Sequence, residues 1–242
     1  MALDTIRAQG LAGPVGAVLN MREYAAGTAP SSDWFAGRAA PAFADDAACI
    51  SSFALRGEGA VTDLPTDEFV LVLSGELVIE SSHGTLVLGP DVSGVIPFGT
   101  SFRWRASGDM LAIVYAAPTD RPGSASAPLL IDTDAPLAAS AAPALENLLG
   151  ETPSCRAFSD YKSANAEFAC GTWDSTPYHR RQIPYRQVEL MMLLAGEATF
   201  SDDNGSVTFS KGDVCMFVRG DGCAWLSTEY VKKVFATQRP VN

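Results

Sequence analysis

The sequence predicts an all-β fold built from two similar small antiparallel barrels in tandem. Three observations carry this expectation: a repeat at a fixed offset, short apolar runs that end at glycine, and many turn formers. The repeat comes first, because a missed duplication misassigns a whole chain. Glu68-Phe-Val-Leu-Val-Leu-Ser-Gly75-Glu76 is answered by Glu189-Leu-Met-Met-Leu-Leu-Ala-Gly196-Glu197, 121 residues later. Trp104 and Trp225 keep that offset, as do Cys49 and Cys170, each after an alanine. Each half also carries a glycine turn before its tryptophan, Gly89-Pro90-Asp91 and Lys211-Gly212-Asp213. Several matches at one offset mean a duplication.

The elements follow in order. Phe69 to Leu73 and Leu190 to Leu194 are short continuous apolar runs, as expected for strands covered on both faces. Leu77-Val-Ile79 runs into Ser81-Ser-His83-Gly84, and Ala198-Thr-Phe200 into Asp202-Asp-Asn204-Gly205. Both read as hairpins, because the turn residues tolerate positive φ. Val92 to Pro97 corresponds to Val214 to Val218, and the strands Leu111 to Tyr115 and Val231 to Phe235 close the units. Short strands at this spacing indicate a barrel or sandwich. The expected organisation is an N-terminal barrel with its extension over 1–120, a connector over 121–158 and a C-terminal barrel over 159–242. Six of the fifteen prolines fall between Pro118 and Pro153. Within this stretch Leu129 to Ile131 predicts an edge strand, and Pro143 to Leu149 before Gly150 predicts a short helix.

Composition narrows the function classes. Apolar residues make up 47% and charged residues 19%, which favours a packed core over disorder. A net charge of −11 repels phosphate backbones and anionic lipid, so nucleic acid and membranes are excluded as expected partners. No apolar run is long enough to span a bilayer. Leu11 to Leu19 is apolar, but Asp4 precedes it and Gly13, Pro14 and Gly16 interrupt it, unlike a signal peptide. Five cysteines with no CxxC pair fit reduced thiols and a cytoplasmic location.

The glutamate, six residues and glycine of each half, followed by Pro97-Phe98-Gly99 and Val218-Arg219-Gly220, resemble the two motifs of the cupin superfamily. Cupins are jelly-roll (double-stranded β-helix) barrels, often paired as bicupins. The second half is also similar to the subfamily of ureidoglycine aminohydrolase, through Gly171-Thr-Trp173-Asp-Ser-Thr-Pro177, Gly196-Glu197, Asp203-Asn-Gly205, Lys211-Gly212-Asp213, Gly220 through Trp225, and Val231-Lys-Lys-Val-Phe235. This similarity covers residues 160–238 well and 45–117 more weakly. It implies a dimer formed through sheet faces and, in metal-using members, His-x-His before the glutamate and a later histidine. Here those positions fall on Thr62 and Leu64, or Val61 and Asp63, with Phe102 later. In the second half they fall on Ile183 and Tyr185, or Gln182 and Pro184, with Cys223 later. The chain has two histidines in all, too few for a three-histidine site. No metal or cofactor is therefore expected.

What remains points to the second barrel. Tyr178-His-Arg180-Arg181-Gln-Ile-Pro-Tyr185-Arg186 concentrates arginines in an acidic chain, and guanidinium forks suit carboxylates. Strand alternation from Glu189 places Tyr185, Met191 and Leu193 on one side, with Arg181 expected there too. Glu189 is thus the candidate catalytic residue, and Arg181, Tyr185, Met191, Cys223 and Trp225 are the candidate ligand-binding residues. The expected ligand is a small organic acid or ureide. Two rivals stand beside it: a metal-dependent ureide-processing enzyme of purine catabolism, and a structural protein that assembles as a homodimer.

Overall fold

A computed structural model describes residues 6–7 and 15–239. The expected apolar stretch from Leu11 lies outside the described residues as far as Pro14. The first half holds β1 (Ile6–Arg7), β2 (Val18–Asn20), α1 (Met21–Ala25), β3 (Phe43–Ala44), β4 (Cys49–Val61) and β5 (Thr66–Ser81). It continues through β6 (Gly84–Leu88), β7 (Ser93–Ile96), β8 (Phe102–Pro118) and β9 (Leu129–Leu130). The second half holds β10 (Ala138–Ser140), β11 (Cys155–Lys162), β12 (Phe168–Ser175), β13 (Tyr178–Pro184) and β14 (Val188–Ala195). It ends with β15 (Glu197–Asp202), β16 (Gly205–Ser210), β17 (Val214–Phe217), β18 (Gly222–Ser227) and β19 (Val231–Gln238).

The fold is all-β, with curled antiparallel sheets forming two barrel units. In the first, β4, β5 and β8 are long strands bent by register shifts between Leu55 and Gly57 and between Val72 and Glu76. In the second the strands are broken at the matching corner, giving a sheet β10-β11-β12-β19-β14-β17-β2 facing a sheet β13-β18-β15-β16. The corner explains the repeated glycine. Gly75 and Gly196 have φ of 68° and 73°, and a Cβ on Gly196 would lie 2.1 Å from the Tyr230 carbonyl oxygen.

Register follows the repeat. Glu68 faces Ile96 as Glu189 faces Phe217, and Ile79 faces Trp104 as Phe200 faces Trp225. The two halves also exchange edges. β2, from before the first barrel, pairs with β17 of the second, while β9, from before the second barrel, pairs with β7 of the first. Asn20 ends β2 and caps α1 through its side chain, which accepts from the Arg22 and Glu23 amides.

Three apolar clusters result. One fills the first barrel around Trp34, Phe53 and Trp104, and one fills the second around Met191, Phe217 and Trp225. The third lies between the barrels and joins Phe69, Leu71 and Tyr115 to Phe168, Leu190 and Met216. The continuous apolar runs are thus strands with one face in a barrel and the other against the neighbouring barrel. Within this seam the Tyr161 hydroxyl donates to Asp67 Oδ1 at 2.6 Å, and the Tyr115 hydroxyl to the Val188 carbonyl at 3.2 Å.

The helix expected over Pro143 to Leu149 is not formed. A single 3-10 turn spans Leu145–Asn147, and Leu148 then becomes extended and bridges Arg180. Leu148 gains more by packing on the second barrel's core than a single-turn helix offers.

Candidate functional site

The two motif glutamates both lie inside their barrels. Glu68 is 0% exposed and fully coordinated: Arg38 Nη2 lies 2.6 Å from Oε1, Trp34 Nε1 donates to Oε2 at 3.1 Å, and Thr66 Oγ1 donates to Oε1 at 3.1 Å. Trp34 and Arg38 belong to the segment between α1 and β3, which bridges β4 at Ser31 and Arg38. Trp34 meets Phe53 and Phe102 edge-on at 4.8 and 5.0 Å, so the extension fills the first barrel with its own side chains.

In the second barrel Glu189 is 7% exposed and pairs with Lys233, whose Nζ lies 2.7 Å from Oε1. Gln187 Nε2 donates to Oε2 at 3.1 Å. The Lys233 ammonium also sits over the rings of Trp173 and Trp225, at 4.8 and 5.4 Å from their centroids, and 3.7 Å from Met191 Sδ. Trp225 stacks on Tyr178 at 5.4 Å, and Tyr185 on Phe217 at 4.4 Å.

The structure brings Glu189, Tyr185, Met191, Cys223 and Trp225 together in this one interior. Arg181 is placed differently: it is exposed on β13. A register shift explains this. Arg180 faces Trp225 and Ile183 faces Cys223, so β13 carries one more residue than β18 across the interval. The extra residue inverts the alternation counted back from Tyr185, and Arg180 takes the inward position. Its Nη2 donates to the Cys223 carbonyl at 3.2 Å, and its Cζ lies 5.4 Å from the Tyr185 ring centroid. Its Nε is buried without a hydrogen-bond partner, and among the described residues no carboxylate pairs with it. Lys233, Trp173 and Arg180 escaped the sequence reading. Consecutive lysines 232 and 233 on a strand buried on both faces were the available signal, since one must point inward.

Burial pushes the Cys223 thiol up to about 11, with Arg180 pulling the other way. A thiol held that high is not a thiolate nucleophile near neutral pH. His179 cannot serve it as a base, because it lies on the outer face opposite the exposed Leu226. The residues at the motif positions do not fit the metal of metal-using cupins. Ile183, Tyr185, Gln182 and Pro184 stand at the histidine positions, and Glu189 is committed to Lys233. Among the described residues no three His, Cys, Asp or Glu side chains gather. A groove of 210 Å³ lined by Gly16, Ala17, Asp202, Asp221 and Gly222 opens beside this barrel. Its two aspartates make it a poor seat for an anion.

Residues 162–235 match the family of EutQ-like cupin domains. Among solved structures, a protein of unknown function of the DUF861 family from Pseudomonas syringae is 28% identical, with a TM-score of 0.76 over 82% of this chain and 85% of that one. A cupin 2 conserved barrel domain protein from Leptotrichia buccalis is 12% identical, with a TM-score of 0.63 over 93% and 97%. The protein Ylba from E. coli, also DUF861, is 12% identical, with a TM-score of 0.52 over 99% and 96%. No curated protein sequence matches the chain.

Proposed function

We propose that this chain, which its domain match and structural neighbours support as a cupin superfamily member, is a bicupin whose C-terminal barrel binds a small organic anion. Arg180 carries this reading. A guanidinium turned into an aromatic interior, with a buried Nε lacking any acceptor, is a charge waiting for a counterion. A small carboxylate or an acidic ureide would supply acceptors to the fork, and Tyr185 and Trp225 would flank its plane. The first barrel, closed by Trp34 and Arg38, serves as scaffold. The metal-dependent ureide-processing alternative gains no support, because the donor set it requires is replaced.

Thermal-shift and calorimetric titration with small carboxylates and ureides tests the reading. The expected result is stabilisation that is weakened by about 1.5–3 kcal/mol, roughly ten- to hundredfold in Kd, in Arg180→Ala and kept in Arg181→Ala. Equal binding by Arg180→Ala, or no ligand-dependent shift at all, overturns it. We further place the protein in the cytoplasm as a homodimer. The five free thiols support the location. Light scattering on the purified protein checks the dimer, and a monomer would refute it.

A further inference from the structure

The second barrel holds a primary amine that the fold itself does not require. Lys233 faces Leu193 across β14 as Ala112 faces Val72 in the first barrel, so the duplicated strand is built equally well with no amine. Lys233 is 7% exposed, and its Nζ contacts a carboxylate on one side and two indole faces on the others. Trp173, one of those faces, is only partly buried, so the wall beside the amine reaches solvent. Arg180 is the cross-strand neighbour of Trp225, whose ring also receives the lysine.

We infer that Lys233 captures a small carbonyl compound as a reversible imine, with Glu189 moving the protons. Glu189 Oε1 takes a proton from the ammonium it already contacts at 2.7 Å. The freed Nζ lone pair adds to the carbonyl carbon, a C–N bond forms, and the carbonyl π electrons pass to oxygen, which takes a second proton from the now positively charged nitrogen. That oxygen leaves as water when Glu189 returns its proton, and a protonated C=N bond remains. Ammonium plus carbonyl thus give iminium plus water, with the charge conserved. The tryptophan faces that attract the ammonium therefore hold the product as well. A 2-oxo acid is the preferred class, because Arg180 would hold its carboxylate. That preference rests on the anion reading above, whereas the amine chemistry stands without it.

The experiment is reductive trapping on the full chain. Pyruvate and, separately, a neutral aldehyde such as propionaldehyde are added with cyanoborohydride, and the adducts are located by peptide mass mapping. Only Lys162, Lys211, Lys232 and Lys233 compete, apart from the terminal amine. The expected result is labelling of Lys233 above the other three, slowed in Glu189→Gln and abolished at that position in Lys233→Arg, which keeps the cation and its ion pair. Labelling of Lys233 by the aldehyde but not by pyruvate supports the amine chemistry and sinks the anion reading. Labelling confined to Lys162, Lys211, Lys232 or the terminal amine, or a total unchanged in Lys233→Arg, overturns the inference.

Discussion

In the first barrel the motif glutamate takes its counterion from outside the repeat, from Arg38 of the preceding segment. In the second barrel it takes it from within, from Lys233 on the last strand. Both carboxylates occupy the same register, so the difference lies entirely in what each barrel does with an inherited negative charge. The first surrounds Glu68 with three donors, from Arg38, Thr66 and Trp34. The second satisfies Glu189 with Lys233 and Gln187, and then adds Arg180, a cation with no carboxylate partner among the described residues. A buried carboxylate must be compensated by something. Among the described residues, the second barrel carries more positive charge than that compensation needs.

The largest effect should come from removing the first barrel's internal plug. Trp34→Ala is expected to lower stability by about 3–5 kcal/mol, measured from urea midpoints, because the cavity cannot collapse around Phe53 and Phe102. A loss well below this would show that the first barrel is not closed by the extension. Next comes the second barrel's pair. Lys233→Ala strands Glu189 and should cost about 3 kcal/mol, near the low end for a broken buried pair, because Gln187 still donates. Replacing both charges, with Glu189→Leu and Lys233→Met, should restore nearly the parent midpoint. If the double variant stays as weak as the single one, the pair is not an isolated unit.

A smaller test sets Asp67, in the seam between the barrels, against Asp174, paired with Arg156 on β11. Asp67 is raised above the usual carboxylate range by burial, against hydrogen bonds from Tyr161 and the Phe98 amide. Its contribution to stability is therefore present below the unfolded carboxylate value and lost as pH rises through the folded one. Asp67→Asn should gain on the parent as pH increases from about 4 toward neutrality. Asp174 behaves in the opposite sense. Burial opposes its ionisation, but Arg156 and Tyr230 outweigh that and hold it below the usual range. Its contribution is present above the unfolded value and lost in acid, so the penalty of Asp174→Asn should fade as pH falls. Relative to the parent, the thermal midpoint should rise with pH above about 4 for Asp67→Asn and fall with rising pH below about 4 for Asp174→Asn. Smallest of all is Arg181→Ala, expected to change stability by no more than about 0.5 kcal/mol, since the side chain is exposed. A loss of several times that would mean that Arg181, as well as Arg180, is built into the structure.

The duplication made the barrels legible in the sequence, down to register. Glu68 and Glu189, Trp104 and Trp225, and the corner glycines occupy matching places because each is required by the same bend or pairing. What the repeat does not contain was harder to see. Trp34 and Arg38 have no counterpart in the second half, and their role depends on a segment folding back into a barrel mouth. Arg180 was missed in favour of Arg181 because strand alternation assumes an unbroken ladder, and a single extra residue on β13 reverses it. The helix expected after Pro143 failed because Leu148 had a tertiary partner that local propensity does not know about.

The exchange of edge strands has a consequence for how the protein is made. Gly16, just before β2, hydrogen-bonds to Asp202 of the second barrel, 186 residues further along. On a ribosome adding about 5–20 residues per second, that partner emerges roughly 10–40 s later. Through this interval the leading segment waits, while the first barrel can already acquire β9 from the chain directly behind it. Completion of the second barrel is therefore among the most non-local steps in folding, and the slow closure expected of such contacts falls at the end of synthesis.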